Sequence, residues 1–571
     1  MTFWGKSIET PYGLLSVGKE LTPEGRMECR TLEGLSFGLG YKDSLINREG
    51  VHQWMALGQG RLAQFDPKYP GALELDRWVR FWNLPHHVEG IRESLSRETH
   101  DLFLAYVQGF NQGVASKGWG KGTFPRMTLD DQIQMILLSL VWDWWDRHWS
   151  TQQFLVEVAR STGADSRFFE LFPDADALCP HWATMMDGAK TPVLHTDPPC
   201  PPASLPRWRA SSQLKVPGAF AALHTMVLPS KGRPLERWVL QSPQSSLVID
   251  QIPGLPLGLL ASNGQRTWSA LLNTANCFKV EILNMEGQET ENRLEEFYLG
   301  KKWAQSVEYP HCFENLLGED SRTGISLRFE SEILQQGFQT LLHPWRNLEP
   351  LHQTAEPWCW GSWLKSEEVT EVSLVTQESQ GPHYYQQTLR RELATRPQWS
   401  TASLKSLLTD TTSLQAQKIL SVVRHHLPDW EPRALSLKRW DYRMEGELAG
   451  LFEKLYLSLI HKVFTSGLNG AEYWRDWNGL SAFFNENHGR FDQILLSPGS
   501  DWFKDQDKDA MTSEAVKDFL KGPKGITSEL GIHRSMGMRS WLEQYSLVLQ
   551  KVGTCSALIH AEGKILWLTA P

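Results

Sequence analysis

The chain has 571 residues, of which 22% are charged, and a formal net charge of −9. This acidic balance excludes a broad basic surface for nucleic acid. The longest apolar run, "MILLSLVW" at 135–142, is too short to span a bilayer, so no membrane segment is expected.

The N-terminal stretch "MTFWGKSIETPYG" lacks the apolar core of a signal peptide. It therefore predicts a cytoplasmic protein, with a periplasmic location as the alternative if a leader has been lost. The seven cysteines are scattered and form no CxxC pair, which predicts reduced and mostly buried thiols.

The first third of the chain is predicted to be mainly helical. Apolar residues recur at helical spacing in 44–65 and again in 97–117. Thr128 followed three residues later by Asp131 resembles a capping box that opens a further helix.

A Pro-rich stretch at 191–212 is predicted to be a surface linker, since proline at this density disrupts both helices and strand ladders. After it come short apolar runs separated by Gly, Pro, Ser and Asn, which predict a sheet region up to about residue 285. Helical patterns return from about 383 onwards. Sheets covered by helices from both ends of the chain predict a layered α+β fold.

Two short motifs point to nucleophilic chemistry. "GLSFG" at 34–38 matches the G-x-S-x-G elbow around Ser36, a pattern that also arises often by chance. Ser212 and Lys215 have the spacing of a Ser–Lys pair, but Pro206 and Pro217 flank them, so a solvated linker is the preferred interpretation.

No metal site is predicted from local spacing. His86–His87 and His425–His426 are adjacent pairs, whereas metal-binding histidines on a helix lie three or four residues apart. The acidic stretch "DQDKDAMTSE" at 505–514 has Ala510 and Met511 where a calcium loop needs ligands, which favours a solvated loop.

Several longer stretches, taken in chain order, resemble the penicillin acylase family of N-terminal-nucleophile hydrolases. The early stretches are "GLGYKDSLINREGVHQWMALGQGRLAQF", "ALELDRWVRFWNL" and "SRETHDLFLAYVQGFNQGV". The last of these is similar to the family's A-Y-x-x-G-x-N helix through Tyr106, Gly109 and Asn111. The segment "IPGLPLGLLASNGQRTWSALLN" resembles a sheet segment of the family. Its matching residues are Pro253, Gly254, Pro256, Asn263, Gly264 and Trp268.

Two late helical stretches also resemble the family, and they contain Asp410, Trp440 and Asp441. The resemblance covers most of residues 30–465 and weakens over the last hundred residues. It implies a four-layer αββα sandwich with additional helical regions. Residues 1–190 would correspond to the family's α chain, 191–212 to its spacer peptide and 213–571 to its β chain.

Members of this family cleave their own precursor and expose an N-terminal Ser. Its Oγ attacks an amide carbonyl while its own α-amine acts as the base. An ungapped comparison from "KGRPL" (231–235) backwards puts Ala219 at the position of this nucleophile and Phe220 at the following Asn. Ala219 has no Oγ, so this comparison predicts a chain that neither cleaves itself nor forms an acyl-enzyme.

Other positions implied by the resemblance also differ from the family pattern. Glu356 occupies the place of the oxyanion-binding Asn, where a carboxylate would repel the developing charge. Asn263 retains its place in the sheet motif. At the family's calcium ligands the chain offers Cys277, Val280 and Thr128, so no calcium and no other cofactor is expected.

A competing comparison makes Ser212 the nucleophile, with Gln213 at the position of the Asn and an insertion before "KGRPL". Three hypotheses remain open. The preferred one is an inactive family member retained as a binding scaffold, and the second is a divergent amidase that uses Ser212. The third is a resemblance that extends to the fold alone. The sequence identifies no partner; a small acylated amide or another apolar ligand is a candidate.

Overall fold

A computed structural model gives the structure of the protein for a defined set of residues. These are 4–18, 25–116, 125–144, 150–179, 182–186, 207–216, 219–227, 236–243, 246–262, 266–272, 278–312, 315–317, 323–332, 334–335, 358–364, 373–376, 391–392, 394–396, 403, 406–407, 410, 412–444, 446–467, 489–504, 506–521, 548–552, 555–559 and 564–569.

The strands are numbered in chain order. They are β1 (Trp4–Thr10), β2 (Gly13–Gly18), β3 (Gly25–Glu28), β4 (Arg207–Val216), β5 (Ala219–Val227), β6 (Glu236–Gln241), β7 (Ser246–Gln251), β8 (Gly258–Ser262), β9 (Arg266–Leu272), β10 (Phe278–Asn284), β11 (Glu291–Leu299), β12 (Lys302–Cys312), β13 (Asn315–Leu317), β14 (Thr323–Phe329), β15 (Trp358–Leu364), β16 (Ser373–Thr376), β17 (Val548–Val552), β18 (Cys555–Ile559) and β19 (Lys564–Thr569).

The helices are numbered in the same way. They are α1 (Leu32–Ile46), α2 (Arg48–Gly58), α3 (Leu62–Phe65), α4 (Ala72–Phe81), α5 (Leu84–Ser94), α6 (Arg97–Ser116), α7 (Leu129–Trp144), α8 (Ser150–Thr162), α9 (Ser166–Leu171), α10 (Ala175–Leu178), α11 (Trp182–Met186), α12 (Leu414–Val423), α13 (Pro432–Lys438), α14 (Gly446–Gly467) and α15 (Lys508–Lys521). Two 3-10 turns lie at Arg424–His426 and Asp501–Phe503.

Within the described residues the strands form three sheets. The eight-stranded sheet has the order β1-β2-β3-β6-β7-β8-β9-β15, and the five-stranded sheet has the order β10-β14-β13-β12-β11. The six-stranded sheet has the order β16-β4-β5-β19-β18-β17. β3 and β6 pair in parallel, and the other described pairings are antiparallel. Helices together with mainly antiparallel sheets confirm the predicted α+β class.

Helix α1 packs over the eight-stranded sheet. It begins at a cap in which the Thr31 Oγ1 accepts a hydrogen bond from the Gly34 N–H at 3.1 Å. A Cβ added at Gly38 would lie 2.8 Å from Met27 Sδ and 3.1 Å from Leu15, so helix and strands are in close contact there. Apolar residues from the first 28 positions and from the helices therefore share one core.

The chain divides into two compact units, each built from separate stretches of sequence. Unit 1 comprises residues 1–144, 192–377 and 546–571, and unit 2 comprises 145–191 and 378–545. In unit 1, Trp78 packs against Trp142 with a ring separation of 4.6 Å. In unit 2, the ring of Phe464 lies 4.5 Å from both Phe491 and Trp502.

Several predicted elements are confirmed, among them α6, α7, β6, β9, β10, α12 and α14. The helical pattern over 44–65 is interrupted, because α1 ends before Asn47 and α2 ends at Gly58. The predicted solvated loop at 505–514 is wrong from Lys508 onwards, where α15 begins and Met511 is buried in the core.

Two expectations from composition can be compared with the described residues. Cys29, Cys179 and Cys312 are buried, as predicted for structural thiols. None of the helices in the described ranges combines the length and apolar character needed to cross a bilayer.

Candidate functional site

Strands β4 and β5 form a hairpin in the middle of the six-stranded sheet. Val216 pairs with Ala219, and only Pro217 and Gly218 connect the two strands. On its other side β5 pairs with β19, where Phe220 lies opposite Thr569. Ala219 is therefore the first residue of a strand that has partners on both sides.

Ser212 lies inside a strand. It is the sixth residue of β4 and pairs with Leu223 of β5 on one side and with Thr376 of β16 on the other. Lys215 lies three residues further along the same strand. Because successive residues of a strand alternate between faces, this spacing assigns positions 212 and 215 to opposite faces of the sheet. The backbone thus gives no support to a Ser–Lys pair.

The predicted linker at 191–212 needs a correction at its C-terminal end. Residues 207–212 belong to β4, and residues 191–206 lie outside the described residues. The prolines stop at Pro206, and Trp208, Leu214 and Val216 then recur at even-numbered positions, as in a strand. This alternation outweighs the effect of the preceding prolines.

Ser36 is not a nucleophile at an elbow. It lies within α1, is fully buried, and its Oγ donates a hydrogen bond to the Leu102 carbonyl at 2.6 Å. A nucleophile elbow needs a strand-to-helix turn that exposes the hydroxyl. The motif match at 34–38 therefore arises from helix packing.

A buried network of polar side chains surrounds Asp43 of α1, which is itself fully buried. Its Oδ2 accepts hydrogen bonds from the Tyr106 hydroxyl, from Gln251 Nε2 at 2.7 Å and from the Gly254 N–H at 3.0 Å. Asn47 Nδ2 donates to its Oδ1 at 3.3 Å. Four donors from three parts of the chain thus meet at one carboxylate.

Two opposing effects set the charge of this carboxylate. Burial raises the pKa of Asp43 to about 6, because desolvation disfavours the charged form. The donors act in the other direction, since each of them stabilises the carboxylate. At neutral pH Asp43 is therefore ionised and saturated with donors.

This cluster connects two of the segments that carry the family resemblance. Tyr106 belongs to the A-Y-x-x-G-x-N helix and Gly254 to the P-G-x-P segment, and the Gly254 N–H also donates to the Tyr106 hydroxyl at 2.9 Å. The Gly254 carbonyl accepts from Gln132 Nε2 at 3.0 Å. Gly254 has φ +98°, a conformation that favours glycine. These hydrogen bonds tie the loop before β8 to helices α1 and α6.

Sequence reasoning missed Asp43 and Gln251, although a signal for Asp43 was present. Leu35, Leu39 and Asp43 follow each other at intervals of four and all are buried on one side of α1. A charged residue that continues an apolar helical stripe needs buried partners. Asn47 lies one helical turn away, but the other partners come from residues about 60 and 210 positions away and leave no local pattern.

Asp76 of the Leu-Asp-Arg segment also has a structural role. Its carboxylate accepts the backbone N–H groups of Leu62 at 2.6 Å and Ala63 at 2.8 Å, at the start of α3. Burial raises the pKa of Asp76 to about 7. Asn111 acts similarly, because its side chain bonds both the N–H and the carbonyl of Met127.

Glu356, Asn263 and Cys277 lie outside the described residues. The strands that follow Asn263 and Glu356 in sequence, β9 and β15, pair antiparallel with Arg266 opposite Leu364 and Trp358 opposite Leu272.

The remaining residues at the family's calcium positions have other environments. The Thr128 Oγ1 accepts the Asp131 N–H at 3.2 Å while Asp131 Oδ2 accepts the Thr128 N–H at 2.7 Å, which confirms the predicted capping box. Val280 lies in β10 opposite Leu327 and has no oxygen in its side chain. Val280 therefore offers no side-chain ligand to a hard cation, which requires oxygen ligands.

In unit 2, the resemblance residues Asp410 and Asp441 order a turn. Asp410 Oδ1 accepts the Thr412 N–H at 3.0 Å and Asp441 Oδ1 accepts the Arg443 N–H at 3.3 Å. Thr412 and Arg443 form an antiparallel bridge. Trp440 is buried beside this turn.

The two histidine pairs differ in their surroundings. His87 of α5 packs against Phe329 at 4.9 Å, and burial lowers the pKa of His87 to about 4. His425 and His426 form the end of a 3-10 turn, and Asp509 of α15 lies beside them. The second pair therefore has an acidic neighbour, Asp509, that lies far from it in the sequence.

Comparison with known proteins identifies a family. The model of the penicillin amidase family matches residues 27–227 and 365–531, which together are well over half of the chain. Among solved structures, the chain is similar to a thermostable penicillin G acylase from Alcaligenes faecalis in an orthorhombic crystal form. The identity is 9% and the TM-score 0.40, over 63% of this chain and 90% of that one. No curated protein matches the chain. On the strength of the family match, the chain belongs to the penicillin amidase family.

Proposed function

We propose that this chain is a penicillin amidase family member that does not hydrolyse amides and serves as a binding scaffold for an acylated amide or another apolar ligand. The observation that carries the proposal is Ala219. It is the first residue of the central strand β5, and the resemblance assigns the nucleophilic Ser to this position.

The chemistry of the family explains why this residue is decisive. Amide hydrolysis of this type needs a hydroxyl that attacks the carbonyl and a free α-amine that takes up its proton. The methyl group of Ala219 provides no attacking atom, and an uncleaved chain provides no α-amine at this position. Glu356, at the place of the oxyanion-binding Asn, adds charge repulsion to this deficit.

Ser212 is less suited to the role. Cleavage before Ser212 would break β4 at its sixth residue, between partner strands on both sides. A new N-terminus at Ser212 would have to break its backbone hydrogen bonds to both neighbouring strands before its amine became free. The position of Ser212 therefore supports Ala219 as the counterpart of the family nucleophile.

The proposal includes the four-layer αββα arrangement with additional helical regions. Strand β4 of the six-stranded sheet approaches β9 of the eight-stranded sheet, as expected for two sheets that face each other. Helix α1 packs on the eight-stranded sheet beside Leu15 and Met27. We further propose the correspondence of 1–190, 191–212 and 213–571 to the family's α chain, spacer peptide and β chain.

The proposal also states that the chain does not bind calcium at the family's position. Val280 offers no ligand atom, and the Thr128 hydroxyl is held by Asp131. A calcium titration of the purified chain is expected to give no saturable binding that depends on Thr128.

The mass of the purified chain tests the proposal directly. We expect one intact species of 65.2 kDa and no hydrolysis of chromogenic acyl-anilides above the rate in buffer. Ser212→Ala is expected to change neither result, and Ser211→Ala is the matched control from the neighbouring position of β4.

Two results would overturn the proposal. One is a pair of fragments with a new N-terminus at Ser212, lost in Ser212→Ala and kept in Ser211→Ala, which would establish the amidase that uses Ser212. The other is amide hydrolysis by the uncleaved chain.

A further inference from the structure

Two segments of unit 2 bring three metal-ligand side chains together. His425 and His426 end the 3-10 turn after α12, and Asp509 lies in the first turn of α15. Asp509 Oδ1 is 3.5 Å from His426 Nε2 and 4.0 Å from His425 Nε2. One ligand atom from each of the three residues lies within 4.8 Å of the others.

These separations are close to those around a single metal ion. Zn²⁺ binds imidazole nitrogen and carboxylate oxygen at about 2.0–2.2 Å, so two ligands of a tetrahedral ion lie roughly 3.3–3.6 Å apart. The His426–Asp509 separation is already in this range. His425 and Asp509 have 60% and 74% exposed side chains, so both are free to make the remaining adjustment by rotating.

His426 is the buried member of this group of three ligand side chains. Its side chain is only 10% exposed, and its buried Nε2 faces the Asp509 carboxylate at 3.5 Å, at the limit of hydrogen-bond distance. The Ser513 Oγ lies 2.8 Å from its Nδ1, from one turn further along α15 than Asp509. When Nδ1–H donates to this hydroxyl, the lone pair of Nε2 faces the Asp509 carboxylate, an arrangement that a cation between them would stabilise.

Neighbouring charges favour a cation at this point. Asp507 adds a second negative charge close to His426. Lys508, the residue before Asp509, donates its Nζ to the Ser497 carbonyl at 3.1 Å and packs over the Phe503 ring.

We propose that His425, His426 and Asp509 bind one divalent transition-metal ion. Two imidazoles and one carboxylate select nitrogen-preferring ions such as Zn²⁺, Cu²⁺ and Ni²⁺ over Ca²⁺ and Mg²⁺. Three protein ligands leave a coordination position for water. The ion would connect the 3-10 turn to α15, whose Asp509 lies 83 residues after His426 in the sequence, and so would stabilise unit 2.

Metal titration of tag-free, full-length protein tests this site. With Zn²⁺ in competition with a chromogenic chelator, we expect one site that is lost in the His425→Gln/His426→Ala variant. Asp509→Asn should weaken it by at least about tenfold, the size of effect typical for altered metal environments. Co²⁺ should give the visible absorption of a four-coordinate nitrogen–oxygen site, and this absorption should disappear in the same variants.

Matched variants separate this site from general binding to surface histidines. Asp518→Asn lies on the same helix and His86→Gln alters the other adjacent pair, and both should leave the affinity unchanged. His425→Gln alone changes an exposed side chain and so tests the site without disturbing the core. Equal Zn²⁺ affinity in wild type and His425→Gln/His426→Ala, or no site competing with the chelator, would overturn the proposal. Neither outcome depends on whether the chain hydrolyses amides.

Discussion

At the scale of single residues, Asp43 is a position where a substitution should disturb several buried hydrogen bonds at once. Its carboxylate is buried and accepts four hydrogen bonds. Asp43→Asn replaces one acceptor oxygen by an NH₂ group that faces donors. We therefore expect the free energy of unfolding to fall by about 1–3 kcal/mol at neutral pH, measured by urea denaturation. Asp101→Asn, which alters a half-exposed ion pair on α6, should cost less than about 1 kcal/mol.

The same variant has a pH signature. Because the pKa of Asp43 is raised to about 6, the folded state binds a proton that the unfolded state has already released between about pH 4 and 6. The stabilisation of the folded state by this proton is present at about pH 4 and is lost as the pH rises through 6. Asn cannot titrate, so the free energy of unfolding of Asp43→Asn does not fall with pH in this way. The difference in free energy of unfolding between wild type and Asp43→Asn should therefore become smaller between pH 4 and 7. A deficit that is constant over this range would contradict the assignment.

Individual residues show how far sequence reasoning reached. The Thr128–Asp131 cap was predictable because both partners lie within one helical turn. Ser36 was misleading, since a G-x-S-x-G match does not distinguish an exposed elbow from small residues in a packed helix. The neighbour of His426 was hidden because Asp509 lies 83 residues later, in a stretch interpreted as a loop.

At the scale of elements, the contact between α1 and α6 depends on glycine. A Cβ at Gly109 would lie 1.9 Å from the Phe37 carbonyl oxygen, and one at Gly40 would lie 2.1 Å from that of Tyr106. Backbone atoms cannot move aside as a flexible side chain can. Gly109→Ala should therefore force the helices apart and lower the free energy of unfolding by about 1–3 kcal/mol or more, again measured in urea.

Gly90 in α5 provides the control for this prediction. A Cβ there meets nothing within 4 Å, so Gly90→Ala should raise the free energy of unfolding by about 0.5–1 kcal/mol through helix propensity. If Gly109→Ala were also neutral or stabilising, the close approach of α1 and α6 would be wrong.

Helices and strands could be predicted from the sequence where their apolar periodicity is local, and could not be predicted where a strand depends on a partner distant in the sequence. The amphipathic helices α6 and α14 have repeating apolar positions of their own. β3 depends on parallel pairing with β6, more than 200 residues away, and β19 joins the six-stranded sheet beside β5 from the end of the chain. Such distant partners leave no signal in the local sequence, which explains why the sequence predicts a sheet region only between 213 and 285.

At the scale of the whole molecule, each compact unit contains chain from both sides of residues 192–206. Unit 2 joins 145–191 to 378–545, and Arg490 is central to this junction. Its Nη1 donates to the Leu171 carbonyl at 2.9 Å and its Nη2 lies 2.5 Å from Asp174 Oδ1. Trp502 Nε1 donates to the Arg167 carbonyl at 3.0 Å. A single cut in the Pro-rich stretch would therefore leave both units with their own contacts.

This construction predicts the behaviour of a nicked chain. If residues 196–202 are replaced by a recognition sequence for a specific protease, cleavage should give two bands on a denaturing gel but an unchanged elution volume in native size exclusion. The two pieces should separate only in denaturant.

Arg490→Met leaves the Asp174 carboxylate without its partner and should lower the free energy of unfolding by roughly 3 kcal/mol. The nicked variant should therefore separate at a lower urea concentration than nicked wild type. Arg443→Met removes an exposed pair and should not shift this midpoint. Fragments that separate in native buffer would contradict this prediction, because they would show that the contacts within each unit do not hold the two sides of the chain together.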